Sequence, residues 1–260
     1  MPDLKDHYHT DCLSAALEQS VVIMPARGGS KRIPGKNIKT IHGQPMLYWP
    51  LTELLHLFKS KQIIVSTDDN DVKKVVKNCG LETPFTRPKN LSGDHTGTMA
   101  VTQHALKWFE NKFSCVKFVL VVYPTAVMLD IEDITRSFDM ILKDEHCDFV
   151  MSSTTFGFPI QRAIQLDSTG YAEMIDPDHC FTRSQDLPEI MHDAGQFYLY
   201  RAQIVRDGKS LINSRVRLYH LNRKRVVDID TPEDFEVAEE LLRRYKKIKI
   251  ADSSVCFATV

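Results

Sequence analysis

The sequence lacks any long apolar run. No segment approaches the roughly 20 consecutive apolar residues that a membrane-spanning helix requires. The first twenty residues carry five charged side chains in place of the continuous apolar core of a signal peptide. We therefore expect no membrane partner and no secretion signal.

An excess of charge of either sign is also missing. The chain has 33 Lys and Arg against 34 Asp and Glu, which leaves a formal net charge of −1. Proteins dedicated to nucleic acid normally carry a clear basic excess, so we predict no nucleic-acid partner. An anionic ligand would instead need a local cluster of positive charge.

Paired cysteines are absent as well. The six cysteines are scattered, with no CxxC pair and no Cys/His group at zinc spacing. This pattern is typical of the reduced thiols of a cytoplasmic protein, which is the location we expect. The sequence also has no internal repeat, and its 260 residues suit one large domain.

Strand-like and helix-like segments alternate through the first half of the chain. The predicted strands are Val21–Ala26, Gln62–Ser66, Thr83–Thr86 and Val116–Tyr123, and the predicted helices are Pro45–Phe58, Asp69–Asn78, Thr98–Phe113 and Asp130–Leu142. This alternation predicts a three-layer α/β fold with a mostly parallel, Rossmann-like sheet and helices on both faces. Ligands of such sheets bind beyond the carboxyl ends of the strands.

The pattern changes after about residue 147. Residues 147–200 contain extended segments around turns and no long helix, which predicts a β-rich arm. The α/β pattern returns with a strand at Val226–Ile229 and a helix that Thr231 caps. We therefore divide the chain into an N-terminal extension (1–20), one domain (21–247) that includes the arm, and a tail (248–260).

A glycine-rich basic loop follows the first predicted strand. Residues 25–37 read PARGGSKRIPGKN, and all four charged side chains are positive. Gly28 and Gly29 allow consecutive N–H groups to face one anion, and Ser30 adds a hydroxyl donor. The glycine spacing and Asn37 differ from a Walker A loop. The loop predicts a triphosphate site of another type, and the alternative is a solvated basic turn.

Two carboxylates end the last predicted strand. Asp228 and Asp230 are two residues apart, so both should point to the same side of the sheet. Two such carboxylates form a hard-oxygen site that suits Mg²⁺. The alternative is that Asp230 only supports the start of the following helix.

In combination, these motifs resemble the cytidylyltransferases that activate eight- and nine-carbon 2-keto sugar acids as CMP-sugars, the CMP-sialic acid synthetase-like family. The shared motifs are ARGGSKRIPGKN (26–37), STDD (66–69), RP (87–88), DHTGT (94–98), YPT (123–125) and DIDTPEDF (228–235). Within the family, the segments KRIP (31–34), DHTGT (94–98), FPIQRA (158–163) and HDAGQFY (192–198) are most similar to the pseudaminic acid branch.

The resemblance implies a nucleotide-diphospho-sugar transferase fold and transfer of CMP from CTP to a nonulosonic acid, most closely pseudaminic acid. It implies CTP and a keto-sugar acid as substrates, Mg²⁺ as cofactor and a homodimer formed through the arm. Three other hypotheses stay open. They are a CMP-N-acetylneuraminic acid or CMP-Kdo synthetase, an enzyme acting on a sugar 1-phosphate, and a non-catalytic nucleotide-binding homologue.

The site residues that the resemblance implies form three sets. The catalytic set is Arg27, Lys31, Asp228 and Asp230, the last two also being the metal ligands. The nucleotide-binding set is Ala26, Arg27, Gly28, Gly29, Ser30, Lys31, Lys36, Asn37, Arg87, Asp94 and Thr98. The sugar-binding set is Tyr123, Arg162, His192, Asp193 and Gln196. In the last set Arg162 is the candidate for binding the substrate carboxylate. Asp94 could alternatively cap the helix near Thr98, and His192 could be a structural histidine.

Overall fold

The computed structural model describes the backbone of residues 4–255 and the side chains of residues 11–246. Its strands are β1 Ser20–Pro25, β2 Thr40–Ile41, β3 Gln44–Pro45, β4 Ile63–Ser66, β5 Phe118–Val122, β6 Phe149–Thr155, β7 Ile164–Leu166, β8 Ala172–Met174, β9 Met191–Arg201 and β10 Val216–His220. Its α-helices are α1 Leu4–Glu18, α2 Tyr48–Leu54, α3 Asn70–Asn78, α4 Thr98–Lys112, α5 Ile131–Lys143, α6 Ala202–Asp207 and α7 Pro232–Val255.

Six strands form the central sheet, in the order β10-β6-β9-β5-β1-β4. Strands β4, β1 and β5 are parallel to one another, and β10 is parallel to β6. Strand β9 lies between β5 and β6 and is antiparallel to both. The prediction of a mostly parallel sheet is therefore confirmed, with one antiparallel strand at its centre.

The core lies on both faces of the sheet, as strand β1 shows. Val22 and Met24 of this strand belong to the buried cluster on one face, together with residues of α2, α3 and α5. Val21 and Ile23 belong to the cluster on the opposite face, with residues of α4 and α6. Alternate residues of a strand point to opposite faces, so a continuous apolar strand requires helices on both sides. The three-layer prediction is confirmed.

Polar side chains fix where several helices begin. Asp69 accepts hydrogen bonds from the N–H groups of the first turn of α3, including that of Val72 at 3.1 Å. At the start of α7 the Asp234 carboxylate accepts from the Thr231 N–H at 2.7 Å, and the Thr231 hydroxyl accepts from the Asp234 N–H at 3.2 Å. This reciprocal pair is the predicted cap of the last helix.

Two predicted strands are wrong. Residues 83–86 and 226–229 have no strand assignment, because neither segment pairs with a neighbour in the sheet. The two edges of the central sheet are instead formed by β4 and β10. Strand β10 was not predicted from the sequence. The helix predicted at 45–58 is also shorter, since α2 covers only seven residues.

The predicted arm is smaller than residues 147–200. Strands β6 and β9 form the two ends of that range and belong to the central sheet. The residues between them, 156–190, carry the small β7–β8 sheet, and we call this segment the arm from here on.

The predicted extension and tail have helical backbones where they are described. Helix α1 packs on the domain through Ala16, and Gln62 donates to the carbonyl oxygens of Leu17 and Ser20 at 2.8 and 2.9 Å. Residues 256–260 of the predicted tail lie outside the described residues. No helix in the described range is both long and apolar enough to cross a lipid bilayer.

Candidate active site

A polar cleft of about 430 Å³ lies beyond the carboxyl ends of β1 and β5, and we call it the main cleft. The predicted site residues that line it are Arg27, Ser30, Lys36, Asn37, Arg87, Thr98, Tyr123, Asp193, Asp228 and Asp230. The predicted site residues that do not line it are Ala26, Gly28, Gly29, Lys31, Asp94, Arg162, His192 and Gln196. The basic loop, the start of α4 and the carboxylate pair thus meet in one place, although they are far apart in sequence.

The basic loop is held in shape by contacts behind the cleft. The Asn37 amide is buried and donates to the Arg27 carbonyl oxygen at 2.8 Å. The Gly28 N–H donates to the Asp68 carboxylate at 3.1 Å. A Cβ at Gly28 would lie 2.3 Å from the Asp69 carboxylate oxygen, so no larger residue fits there unless the loop shifts. Gly28 therefore permits close packing of the loop and the STDD motif.

Two carboxylates bind the four cations of the loop. Asp94 accepts from Arg27 at 2.7 Å and from Lys31 at 2.5 Å, and these hydrogen bonds lower the pKa of Asp94. Asp94 does not cap α4, because the residue before that helix is Gly97. On the other side, Asp230 accepts from Arg32 at 2.7 Å and from Lys36 at 3.0 Å.

Asp228 differs from Asp230 in its contacts. No donor within residues 11–246 lies in hydrogen-bond distance of the Asp228 carboxylate, which faces the main cleft. Its pKa is raised, first because the walls of the cleft partly desolvate it and second because Asp230 has the same charge. A cation placed near this pair would relieve that repulsion.

The pair fits Mg²⁺, which proteins hold through one or two carboxylates together with substrate phosphates. No cluster of three or more His, Cys, Asp or Glu side chains suited to a metal occurs among the described residues. Phosphate oxygens and water would therefore have to complete the coordination.

A partly buried arginine positions the loop that carries both carboxylates. Arg225 donates to the Asp133 carboxylate, at 2.5 Å in the shorter contact, and to the Met128 carbonyl oxygen at 3.1 Å. This tether replaces the strand pairing that the sequence analysis assumed. The conclusion that Asp228 and Asp230 share one site stands, but its geometric reason was wrong.

Arg87 lies beneath the cleft and is almost fully buried. Its guanidinium donates to the Ser66 carbonyl oxygen and, at 3.1 Å, to the Ser66 hydroxyl. Burial lowers the pKa of Arg87, but the group still carries a positive charge at neutral pH because its ordinary value is so high. It places a fixed cation at the carboxyl end of β4.

Three hydroxyl groups and a carboxylate lie along one wall. The Thr98 and Tyr123 hydroxyls are 2.8 Å apart, the Tyr123 and Tyr198 rings pack edge to face with centroids 5.9 Å apart, and Tyr198 donates to the Asp193 carboxylate. Burial raises the pKa values of both tyrosines, so both stay protonated. These contacts connect the start of α4 to strand β9.

A second cavity of about 850 Å³ opens beside the main cleft, and we call it the side cavity. Asp193 and Asp228 line both spaces. The side cavity is also lined by two histidines and two cations, which are His192, His220, Arg223 and Lys224. The two carboxylates therefore stand where the cavities meet.

Two predicted sugar-binding residues lie elsewhere. Arg162 lines neither cavity and donates to Ser184 within the arm at 3.3 Å. Gln196 is buried, and its amide nitrogen donates to the Ala194 carbonyl oxygen at 3.2 Å, so it does not reach the cleft surface. His192 does line the side cavity and packs against the Phe156 ring.

Three residues that line the cavities were not predicted as site residues from the sequence: Arg223, Lys224 and Tyr198. The signal for the first two was the run NRKR at 222–225, which lies just before the carboxylate pair. Tyr198 was inside the HDAGQFY motif but had no side-chain role assigned. Tyr198 reaches the main cleft through the long-range pairing of β9 with β5.

Comparison with known proteins agrees with the geometry. The profile of the cytidylyltransferase family matches residues 21–253. The pseudaminic acid cytidylyltransferase of Campylobacter jejuni (serotype O:2) is 32% identical over 225 residues, covering 86% of this chain and 97% of that protein. The N-acylneuraminate cytidylyltransferase of Streptococcus agalactiae is 26% identical over 220 residues, covering 83% of this chain and 51% of that protein.

Among solved structures, a CMP:2-keto-3-deoxy-manno-octonic acid synthetase in complex with CTP superposes with a TM-score of 0.64 at 18% identity. The match covers 86% of this chain and 98% of that structure. This likeness supports the fold assignment.

Proposed function

The chain belongs to the cytidylyltransferase family and is thus a nucleotidyltransferase, and on this basis we propose that it transfers CMP from CTP to pseudaminic acid with release of pyrophosphate. The observation that carries the proposal is the junction of the two cavities. The main cleft gathers the cations that a triphosphate needs, and the side cavity beside it offers room and charge for a sugar acid.

The reaction we propose joins the anomeric oxygen of the sugar acid to the α-phosphorus of CTP. The bond between that phosphorus and the pyrophosphate oxygen breaks as the new bond forms. Catalysis of this kind depends mainly on positioning and on neutralising phosphate charge. Mg²⁺, if held by Asp228 and Asp230, would supply positive charge at the phosphates.

The basic loop has the groups to hold the triphosphate. Arg27, Ser30 and Lys36 line the main cleft, and Lys31 binds the same Asp94 carboxylate as Arg27. We propose that triphosphate oxygens replace Asp94 as the partner of Arg27 and Lys31. Charge-assisted hydrogen bonds to phosphate are strong enough to make that exchange favourable.

We assign the remaining cleft residues to the nucleoside. Arg87, Asn37 and Thr98 line the cleft, and each has a polar group fixed by neighbouring contacts. Fixed donors and acceptors of this kind favour one base and one sugar orientation. We include Asp94 in this set because CTP binding would release its carboxylate from Arg27 and Lys31, which makes it available to the nucleoside.

For the substrate carboxylate, we propose Arg223 in place of Arg162. Arg223 lines the side cavity, and no carboxylate within residues 11–246 lies within ion-pair distance of its guanidinium. A Cβ at Gly157 would approach the Arg223 guanidinium to 2.9 Å, so the missing side chain there gives the arginine its space. An unpaired guanidinium in a polar cavity suits a carboxylate, which it can bind through two hydrogen bonds.

Replacing Arg223 with Ala is expected to raise the KM for the sugar acid by about tenfold, since a hydrogen bond to a charged group contributes about 1.5–3 kcal/mol. The KM for CTP should not change, because Arg223 does not line the main cleft. Initial rates with each substrate varied in turn would measure both constants. Arg136→Ala, which removes an exposed guanidinium from α5, is the matched control. An unchanged KM for the sugar acid would remove Arg223 from the site.

The proposed homodimer rests on the apolar surface of the arm. Phe158 and Phe181 are 87% and 97% exposed, and several other large apolar side chains of the arm are also exposed. Exposed apolar patches of this kind are commonly protein interfaces. We propose that a second copy of the chain covers this surface and helps to close the side cavity.

The double variant Phe158→Ser, Phe181→Ser is expected to shift the protein from dimer to monomer by at least tenfold in dissociation constant, because each large apolar side chain contributes about 1.5–3 kcal/mol when buried. Sedimentation equilibrium measures this constant directly. A wild-type chain that sediments as a monomer at micromolar concentration would contradict the dimer. Phe113→Ser, at an exposed aromatic residue outside the arm, serves as the control.

We also propose a cytoplasmic location. Among residues 11–246, Cys12, Cys79, Cys115, Cys147 and Cys180 are free thiols. Free thiols are typical of proteins in a reducing compartment, which agrees with this proposal.

The test of the proposed function is a substrate panel. The protein is incubated with CTP, Mg²⁺ and one acceptor at a time: pseudaminic acid, N-acetylneuraminic acid, 2-keto-3-deoxy-manno-octonic acid or a sugar 1-phosphate. Pyrophosphate release is then measured. We expect the highest kcat/KM with pseudaminic acid. Equal or faster release with N-acetylneuraminic acid would replace pseudaminic acid as the assigned substrate. Release only with the sugar 1-phosphate would show that the protein catalyses a different reaction from the one proposed.

A further inference from the structure

Asp193 stands at the junction of the two cavities. It lines both the main cleft and the side cavity, a position that it shares with Asp228. If CTP occupies the first space and the sugar acid the second, the reacting oxygen and phosphorus must meet at this junction. A carboxylate at this junction would then lie beside the hydroxyl group that has to lose its proton.

The other acidic groups around the main cleft have different partners. Asp94 and Asp230 each bind two cations of the basic loop. Asp228 has no hydrogen-bond donor among the described residues and is the proposed metal ligand. Asp193 alone in this group is held by neutral donors, namely the Tyr198 hydroxyl and the Gly195 N–H, the latter at 2.8 Å.

These contacts hold the Asp193 carboxylate in place and leave its oxygens able to accept further hydrogen bonds. One oxygen accepts from Gly195 and the other from Tyr198, and a carboxylate has about four lone-pair positions in total. No cation within residues 11–246 forms an ion pair with it, so a bound proton would not have to displace one. Gly195 adopts a left-handed conformation, with φ of 60°, which turns its N–H toward the carboxylate.

We propose that Asp193 is the general base of the reaction. This assignment rests on the proposed function. The anomeric O–H bond breaks and its proton passes to the Asp193 carboxylate, while the anomeric oxygen forms a bond to the α-phosphorus. The bond from that phosphorus to the bridging oxygen breaks, and the electron pair leaves with pyrophosphate. The proton on Asp193 is then lost to solvent.

Tyr198 is a positioning residue in this scheme. Its hydroxyl donates to Asp193, and its ring packs edge to face on the ring of Tyr123, with centroids 5.9 Å apart. The Tyr123 hydroxyl in turn lies 2.8 Å from that of Thr98, which begins α4 in the main cleft. The position of the base is thereby linked to a wall of the nucleotide site.

The test compares kcat and KM in variants of Asp193. Asp193→Asn has the same shape but cannot take the proton, and we expect its kcat to fall by about a hundredfold with the KM values for both substrates changed less than threefold. Asp193→Glu, which keeps a carboxylate, should retain more activity than Asp193→Asn. Formate should partly restore kcat in Asp193→Ala, because it can enter the space of the missing carboxylate.

The control for the position of the base is Tyr198→Phe. It keeps the ring but loses the hydrogen bond, so kcat should fall by only about tenfold. In the Tyr198→Phe background, adding Asp193→Asn should lower kcat by a much smaller factor than it does in the wild-type protein. CTP binding by calorimetry shows whether each variant is folded and retains the nucleotide site.

Three outcomes would overturn the assignment. If Asp193→Asn raises the KM for the sugar acid and leaves kcat unchanged, Asp193 is a sugar contact and not the base. If formate does not restore Asp193→Ala although CTP still binds, the carboxylate has a structural role. If the wild-type protein is inactive with every keto-sugar acid, the proposed function itself fails, and this result is separate because it does not involve the variants.

Discussion

Replacing Asp228 with Asn is expected to lower kcat by about a thousandfold, the loss that follows from removing about 4 kcal/mol of charge stabilisation in the transition state. The Asp228 carboxylate faces the cleft without a donor among the described residues, and its raised pKa reflects desolvation and the repulsion of Asp230. The Asn amide has the same size as the carboxylate but no charge, so it no longer attracts a metal ion or a phosphate-bound cation. Pyrophosphate release at saturating CTP and sugar acid measures the effect.

The same variant has a second measurement that does not depend on turnover. Binding of Mn²⁺, followed by electron paramagnetic resonance in the presence of CTP, should be weaker by at least tenfold in Asp228→Asn, since one of two carboxylate ligands is lost. Glu236→Gln removes one negative charge from the exposed surface of α7 and is the matched control. If Asp228→Asn keeps kcat within threefold of wild type, the metal assignment is wrong.

Replacing Arg27 with Ala is expected to lower kcat/KM for CTP by about a thousandfold, because arginines that bind transferring phosphates are among the strongest contributors to such reactions. Arg27 lines the main cleft and already binds an anion, the Asp94 carboxylate, at 2.7 Å. Removing it leaves the triphosphate with one cation fewer. Steady-state rates at varied CTP give the value.

Two further variants separate charge from geometry at this position. Arg27→Lys keeps the charge but loses the planar fork that binds two oxygens, so its loss should be smaller, about tenfold to a hundredfold. Arg244→Ala, which removes an exposed ion pair with Glu240, should have no effect. An unchanged kcat/KM in Arg27→Ala would mean that the basic loop does not hold the triphosphate.

Much of the fold could be predicted because local sequence and final structure agree. Strand β1 is apolar at nearly every position, which a strand buried on both faces requires. Helices α3 and α5 begin at Asp69 and Asp130, whose side chains cap them, and both have one apolar face. Such signals depend on neighbours in the sequence and are readable without the structure.

The errors in the fold have a different origin. Residues 226–229 are extended and apolar, but whether a segment becomes a strand depends on a partner in the sheet. In this protein β10 pairs with β6, and Arg225 and its ion pair with Asp133 hold the segment that follows. The antiparallel position of β9 between β5 and β6 is also set by long-range packing, and no local pattern encodes it.

The candidate site shows the same division. The basic loop and the carboxylate pair were predicted together because each motif is compact in sequence, and the structure brings both to the main cleft. Arg162 was chosen for its place in a motif, but the arm carries it away from both cavities. Arg223 was missed because a short basic run in the sequence does not show whether its side chains face solvent or a cavity.

The central claim is that this chain joins the CMP group of CTP to the anomeric oxygen of a keto-sugar acid. Phosphorus-31 NMR of the protein with CTP, Mg²⁺ and pseudaminic acid tests it most directly, because it identifies the phosphorus that is attacked. We expect one new phosphodiester signal, from the CMP-sugar, and an equal amount of pyrophosphate. Formation of CDP with a sugar phosphate, or unchanged CTP with active protein and every acceptor of the panel, would contradict it.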